Sequence, residues 1–148
     1  MACLLLLVIG LCPLPGQAVQ EFSPPELTEP ETLIGLSLEG LYSRFGVPQA
    51  VRSARGEEEW QDDVVLVYPQ GDFYVYRDRV WQLGVSSARG IRLGDSREAV
   101  ILALGEDALE GDGYFILPIR DRSWPMALRV NLGASSGVAG IFVYRSDF

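Results

Sequence analysis

One stretch of the chain constrains its fold more than any other. The segment Gly35–Gly46 returns as Gly94–Gly105 with Gly, Ser, Glu and Gly in register. The offset is constant at 59 residues (35 to 94, 37 to 96, 39 to 98, 46 to 105). Apolar residues recur in the same register at 34/93, just before the markers, and at 41/100, 42/101 and 45/104 between them. Each copy reads as a short helix with its own punctuation. Ser37 and Ser96 suit the N-cap, where a hydroxyl accepts a hydrogen bond from an otherwise unpaired first-turn amide. Glu39 and Glu98 add negative charge at the positive end of the helix dipole. Gly46 and Gly105 fit the left-handed stop, and Pro48 blocks continuation of the first copy. Helices this short are marginal alone and must dock on another part of the fold.

The residues between and after these helices read as strands with short turns. Ala50–Ser53, Val64–Tyr68, Phe73–Tyr76 and Arg79–Val85 follow the first helix. Gly113–Ile119, Met126–Leu132 and Val138–Tyr144 follow the second. β-branched and aromatic residues dominate these runs, and the turns suit antiparallel hairpins. The expected fold class is α+β: two tandem helix-plus-antiparallel-meander repeats, 33–89 and 90–148, forming one sheet with the helices on one face. At 148 residues the chain has room for one domain with a sizeable core.

Upstream of residue 33 the sequence changes character. Residues 1–18 read as a signal peptide, with an apolar run from Leu4 to Leu11 that is too short to span a bilayer. Gly16-Gln17-Ala18 provides the small residues of a cleavage site. Cys12 raises the alternative of a lipid anchor. Ile9 fits the corresponding bacterial pattern, but Leu11 stands where Gly, Ala or Ser is required, so the anchor is disfavoured. Residues 19–32 read as a tether in which Pro24, Pro25 and Pro30 alternate with acids. The expected location is periplasmic or secreted.

Composition narrows the chemistry. The formal charge is −8, which disfavours nucleic acid and anionic membrane surfaces as partners. All twelve basic residues are Arg, and there is no His. Both cysteines lie in the leader. The usual general base, thiolate nucleophile, Schiff-base lysine and zinc ligands are therefore missing beyond the leader. Carboxylates remain. Glu57, Glu58, Glu59, Asp62 and Asp63 form an acidic run without calcium-loop spacing. Glu106, Asp107, Glu110 and Asp112 offer an acid–base pair for a hydrolase of envelope polymers, but nothing fixes their separation. The expectation is no enzyme, no cofactor and no metal.

Strand alternation points instead to a surface. With Phe73 and Val75 inward, Tyr74 and Tyr76 face out. With Val65 and Val67 inward, Tyr68 faces out, and with Ile141 and Val143 inward, Phe142 and Tyr144 face out. Trp60 and Trp124 lie near strand starts and would flank the patch. Tyr and Trp combine rigid contact area with a polar tip, as binding hot spots require. The candidate protein-binding residues are Trp60, Tyr68, Tyr74, Tyr76, Phe142 and Tyr144.

The Gly-x-Ser-x-Glu helix ending in (Phe/Leu)-Gly and followed by an antiparallel meander resembles the repeat of the secreted β-lactamase inhibitor protein. It also resembles that of the SmpA/BamE-type envelope proteins. The shared residues are structural, so the resemblance assigns no site residue. It implies a module that binds another protein, outside the cytoplasm and without catalysis, acting as an inhibitor or an envelope-assembly accessory. A structural spacer subunit of an envelope complex is the alternative.

Overall fold

The computed structural model describes residues 27–55, 63–120 and 122–147. The leader, Cys12, Glu57–Glu59, Trp60 and Asp62 lie outside the described residues. A turn of 3-10 helix at Pro30–Leu33 comes first, with Pro30 and Leu33 buried. Helix α1 (Leu38–Phe45) is followed by strands β1 (Ala50–Ala54), β2 (Asp63–Tyr68), β3 (Gly71–Tyr76) and β4 (Arg79–Val85). Next come the two-residue strands β5 (Ser87–Ala88) and β6 (Ile91–Arg92), and helix α2 (Arg97–Leu104). Strands β7 (Leu109–Gly111), β8 (Tyr114–Ile119), β9 (Met126–Leu132) and β10 (Val138–Arg145) complete the chain.

Eight strands form one antiparallel sheet in the order β1-β2-β3-β4-β10-β9-β8-β7, while β5 and β6 pair separately. This corrects the expected architecture. The molecule is mostly one large sheet with two short helices, and not two helix-plus-meander repeats. The reason is one of scale. An eight-residue helix is about 12 Å long, whereas eight strands at about 4.8 Å spacing span roughly 34 Å. Two such helices cannot form a layer over that width. They bury only Leu41 from α1, and Val100 and Leu104 from α2. The Pro30–Leu33 turn and the β5–β6 hairpin, through Leu33, Ala88 and Ile91, complete the cover.

The caps themselves follow the chemistry of their residues. The Ser37 hydroxyl accepts from the Gly40 amide at 3.1 Å, and the Ser96 hydroxyl accepts from the Ala99 amide at 3.3 Å. The segments entering the helices are stitched to the two central strands. Gly35 N–H donates to Val80 C=O at 2.7 Å, and Gly94 N–H donates to Val138 C=O at 2.8 Å. The helix entrances thereby fix the starts of β4 and β10, which lie side by side in the middle of the sheet.

Cross-strand register assigns the two faces. Leu66, Phe73, Leu83, Val143 and Leu128 form one row across β2, β3, β4, β10 and β9, and all are almost wholly buried. Val85, Ile141, Val130 and Phe115 form a second row on the same side. Both helices pack on this face, α1 through Phe45 against Phe73 and α2 with Arg97 above the Phe115 ring. The core lies here.

Candidate functional site: the opposite face of the sheet

Two rows run across the other face. One is Arg52, Val65, Tyr74, Gln82, Tyr144, Ala127 and Pro118. The other is Val67, Asp72, Gly84, Phe142, Arg129 and Ile116. Tyr74, Gln82, Tyr144, Phe142, Arg129 and Ile116 are all half-buried. A groove of about 410 Å³ lies over the centre, lined by Trp81, Gln82, Phe142, Tyr144, Arg129 and Asn131, with Arg145 and Ser146 at one end. Its walls come from β4, β9 and β10 and the residue that follows.

Small residues set the relief of this surface. Gly84 lies opposite Phe142 across the β4–β10 seam, and a Cβ there would meet the Phe142 ring at 3.3 Å. A Cβ on Gly140 would meet the same ring at 2.8 Å. The ring therefore settles over two glycines. Tyr74 stands edge-on to it, with centroids 6.5 Å apart and planes at 71°. Ala127, 4% exposed, occupies the position between Tyr144 and Pro118.

Polar groups punctuate the groove. The Arg129 guanidinium lies 4.3 Å from the centroid of the Tyr114 ring, and its Nε donates to Asn131 Oδ1 at 2.8 Å. Arg145 lies 4.9 Å from the Trp124 centroid, and its Nε and a terminal nitrogen donate to the two carboxylate oxygens of Asp147. Asp147 is held below the usual carboxylate range by that guanidinium. The Trp81 indole N–H donates to Asp63 Oδ1 at 3.0 Å. Arg52 pairs with Asp72. The Tyr74 hydroxyl is pushed above its ordinary pKa, first by burial and then by Asp72; Arg52 opposes the shift.

Of the six residues expected from sequence, Tyr74, Phe142 and Tyr144 come together at this groove. Tyr76 lies two residues beyond Tyr74 on the same strand face, with Arg77 over its ring at 5.2 Å. Trp60 lies outside the described residues. Tyr68 is placed otherwise than expected. It belongs to the core side, 3% exposed, packed against Phe45 and Phe73, and its hydroxyl donates to the Gly46 carbonyl at 3.0 Å. Val65, expected inward, lies on the groove side, and Leu66 takes the core position. The cause is the unbroken apolar run Val64–Tyr68, which offers no alternation to fix its faces.

Several groove residues escaped the sequence reading. Arg129 and Asn131 stand out in β9 as the polar members of an alternating strand, a signal that was available. Trp81 carries no such signal. The β3–β4 register passes from Tyr74↔Gln82 to Val75↔Val80, leaving Trp81 as the extra residue of a bulge.

The carboxylates singled out for hydrolysis are all exposed. Glu110 is ion-paired with Arg97 at 2.5 Å, Glu106 and Asp107 are exposed on the Gly105–Asp107 turn, and Asp112 is exposed in the β7–β8 hairpin. Among the described residues no group of three or more Asp or Glu is placed to hold a metal ion. A second cavity of about 330 Å³ lies on the core side beneath the Pro30–Leu33 turn. Its one acid, Glu31, is engaged by Arg89 and Arg122.

Comparison with protein-family models and with curated proteins gives no match. Among solved structures, the fold is similar to that of an extracellular protein containing an SCP domain from Bacillus anthracis str. Ames. The TM-score is 0.50 and the identity 14%, over 92% of this chain and 51% of that one. The chain thus spans about half the length of that neighbour, and the likeness is one of fold. Among the described residues no helix is long and apolar enough to cross a membrane.

Proposed function

We propose that this chain is an exported, non-enzymatic module that binds another protein through the groove face of its sheet, as an inhibitor or an envelope-assembly accessory. The observation that carries the reading is the joining of Tyr74, Phe142, Tyr144, Trp81 and Arg129 on the side of the sheet opposite both helices. Aromatic and Arg side chains around a partly desolvated centre are the composition of protein-binding hot spots. The aromatics rest on a rigid platform, since they project from hydrogen-bonded central strands. Little ordering entropy is then lost on association.

The leader-like residues 1–18 support action in the periplasm or outside the cell. The experiment is a triple substitution, Tyr74→Ala with Phe142→Ala and Tyr144→Ala, assayed for partner capture from the native envelope. Loss of capture with an unchanged far-UV spectrum is expected. Capture at the wild-type level by the folded triple variant would overturn the reading.

A further inference from the structure

Among the described residues three arginines are half-buried, Arg97, Arg129 and Arg145, and Arg129 differs from the other two. Arg52, Arg89, Arg97, Arg122 and Arg145 each reach a carboxylate. Arg129 reaches none among the described residues, although the chain carries 20 acids against 12 bases. Its side chain is half-buried at the centre of the sheet, beside its cross-strand neighbour Phe142. It is also held in place: Nε is committed to Asn131 Oδ1, and the Tyr114 ring supports the guanidinium plane. The two terminal nitrogens are left as a fixed fork.

We propose that this fork receives an aspartate or glutamate side chain from the partner protein, with apolar neighbours of that acid resting on Phe142 and Tyr144. The inference rests on the docking reading above and names the chemistry of the partner. A planar guanidinium with both terminal nitrogens available matches a carboxylate in two parallel hydrogen bonds. Partial exclusion of water strengthens that attraction relative to the open surface. A groove arginine with no carboxylate of its own among the described residues, in a molecule of net negative charge, also orients the incoming acid. The edge-on packing of Tyr74 against Phe142 gives a contoured apolar surface rather than a flat shelf for a sugar ring, which favours a polypeptide over an acidic glycan.

The test begins with a displayed library of random short peptides selected on the full mature chain. The best acidic peptide and its amide isostere (Glu→Gln or Asp→Asn) are then titrated against wild type, Arg129→Gln and Asn131→Ala, following backbone amide shifts. On wild type the isostere is expected to bind about tenfold or more weakly. Arg129→Gln abolishes that discrimination. Asn131→Ala, which keeps the charge and frees its orientation, reduces it.

Equal binding of acid and isostere to wild type, with shifts at Phe142 and Tyr144, would overturn the carboxylate inference while leaving the docking face intact. Selected peptides that shift neither residue, or no selected peptide at all, would remove the docking face and the inference together. Shifts at these residues caused by a polyuronate alone would assign the fork to a glycan and overturn it. The comparison of acid with isostere on the wild-type protein is independent of how well any variant folds.

Discussion

The Phe142 ring occupies the space above Gly84, its partner across the seam between the two central strands: a Cβ on Gly84 would stand 3.3 Å from the ring. That vacancy beneath an aromatic ring shapes the groove. It lets Phe142 settle against the sheet, where Tyr74 meets it edge-on.

Gly140 provides the other half of the cradle, and its Cβ would meet the ring at 2.8 Å. Gly140→Ala therefore displaces the ring, with an expected loss of about 1 kcal/mol of folding stability from overpacking. The Phe142–Tyr74 ring contacts weaken with it. Chemical denaturation measures the first effect, and aromatic nuclear Overhauser contacts between the two rings measure the second.

Tyr68 tests the assignment of faces. Its hydroxyl donates to the Gly46 carbonyl and ties the end of β2 to the C-terminus of α1. Tyr68→Phe should cost about 1 kcal/mol, the net value of one intramolecular hydrogen bond. Denaturation curves measure this loss. Partner capture should be unchanged, because this side chain lies across the sheet from the groove. Reduced capture by a Tyr68→Phe protein of near-wild-type stability would count against the face assignment.

The strand positions were largely legible because turn residues and β-branched runs mark them: Arg79–Val85 and Met126–Leu132 occupy the positions read from sequence. The N-caps at Ser37 and Ser96 were legible for the same local reason. The architecture was not. Capped helices of eight residues look like structural units in one dimension, but their size against an eight-stranded sheet appears only in three. Tyr68 was misplaced by a run without alternation, and Trp81 was hidden by a bulge that no local residue pattern announces.

Stability should fall at both extremes of pH. The Glu98 carboxyl is held below its ordinary range, first by its own backbone amide and then by the Ser96 hydroxyl. A depressed acid contributes stability above its unfolded pKa that is lost as pH falls through the folded value. Glu98→Gln should therefore flatten the acid limb of a denaturation midpoint plotted against pH. Tyr68 and Tyr74 are both raised, burial being the leading cause. Their contribution is full below the unfolded tyrosine value of about 10 and is lost as pH rises through the folded values. Tyr68→Phe and Tyr74→Phe should each flatten the alkaline limb.

The caps make a matched pair. Ser37→Ala and Ser96→Ala should each cost about 1 kcal/mol, because each leaves a first-turn amide without its acceptor. The sites lie at the entrances to different helices, so the double variant should lose close to the sum. Thermal or chemical denaturation of the three proteins checks both statements.

Photo-crosslinking in the producing cell tests the docking face most directly, with a photoreactive residue at Gln82 on the groove and, in a second protein, at Leu102 on α2, which is 87% exposed. A discrete adduct with one protein from position 82, and none from position 102, is the predicted result. Equal adducts from both positions, or none from position 82 in a correctly folded and exported chain, would contradict it.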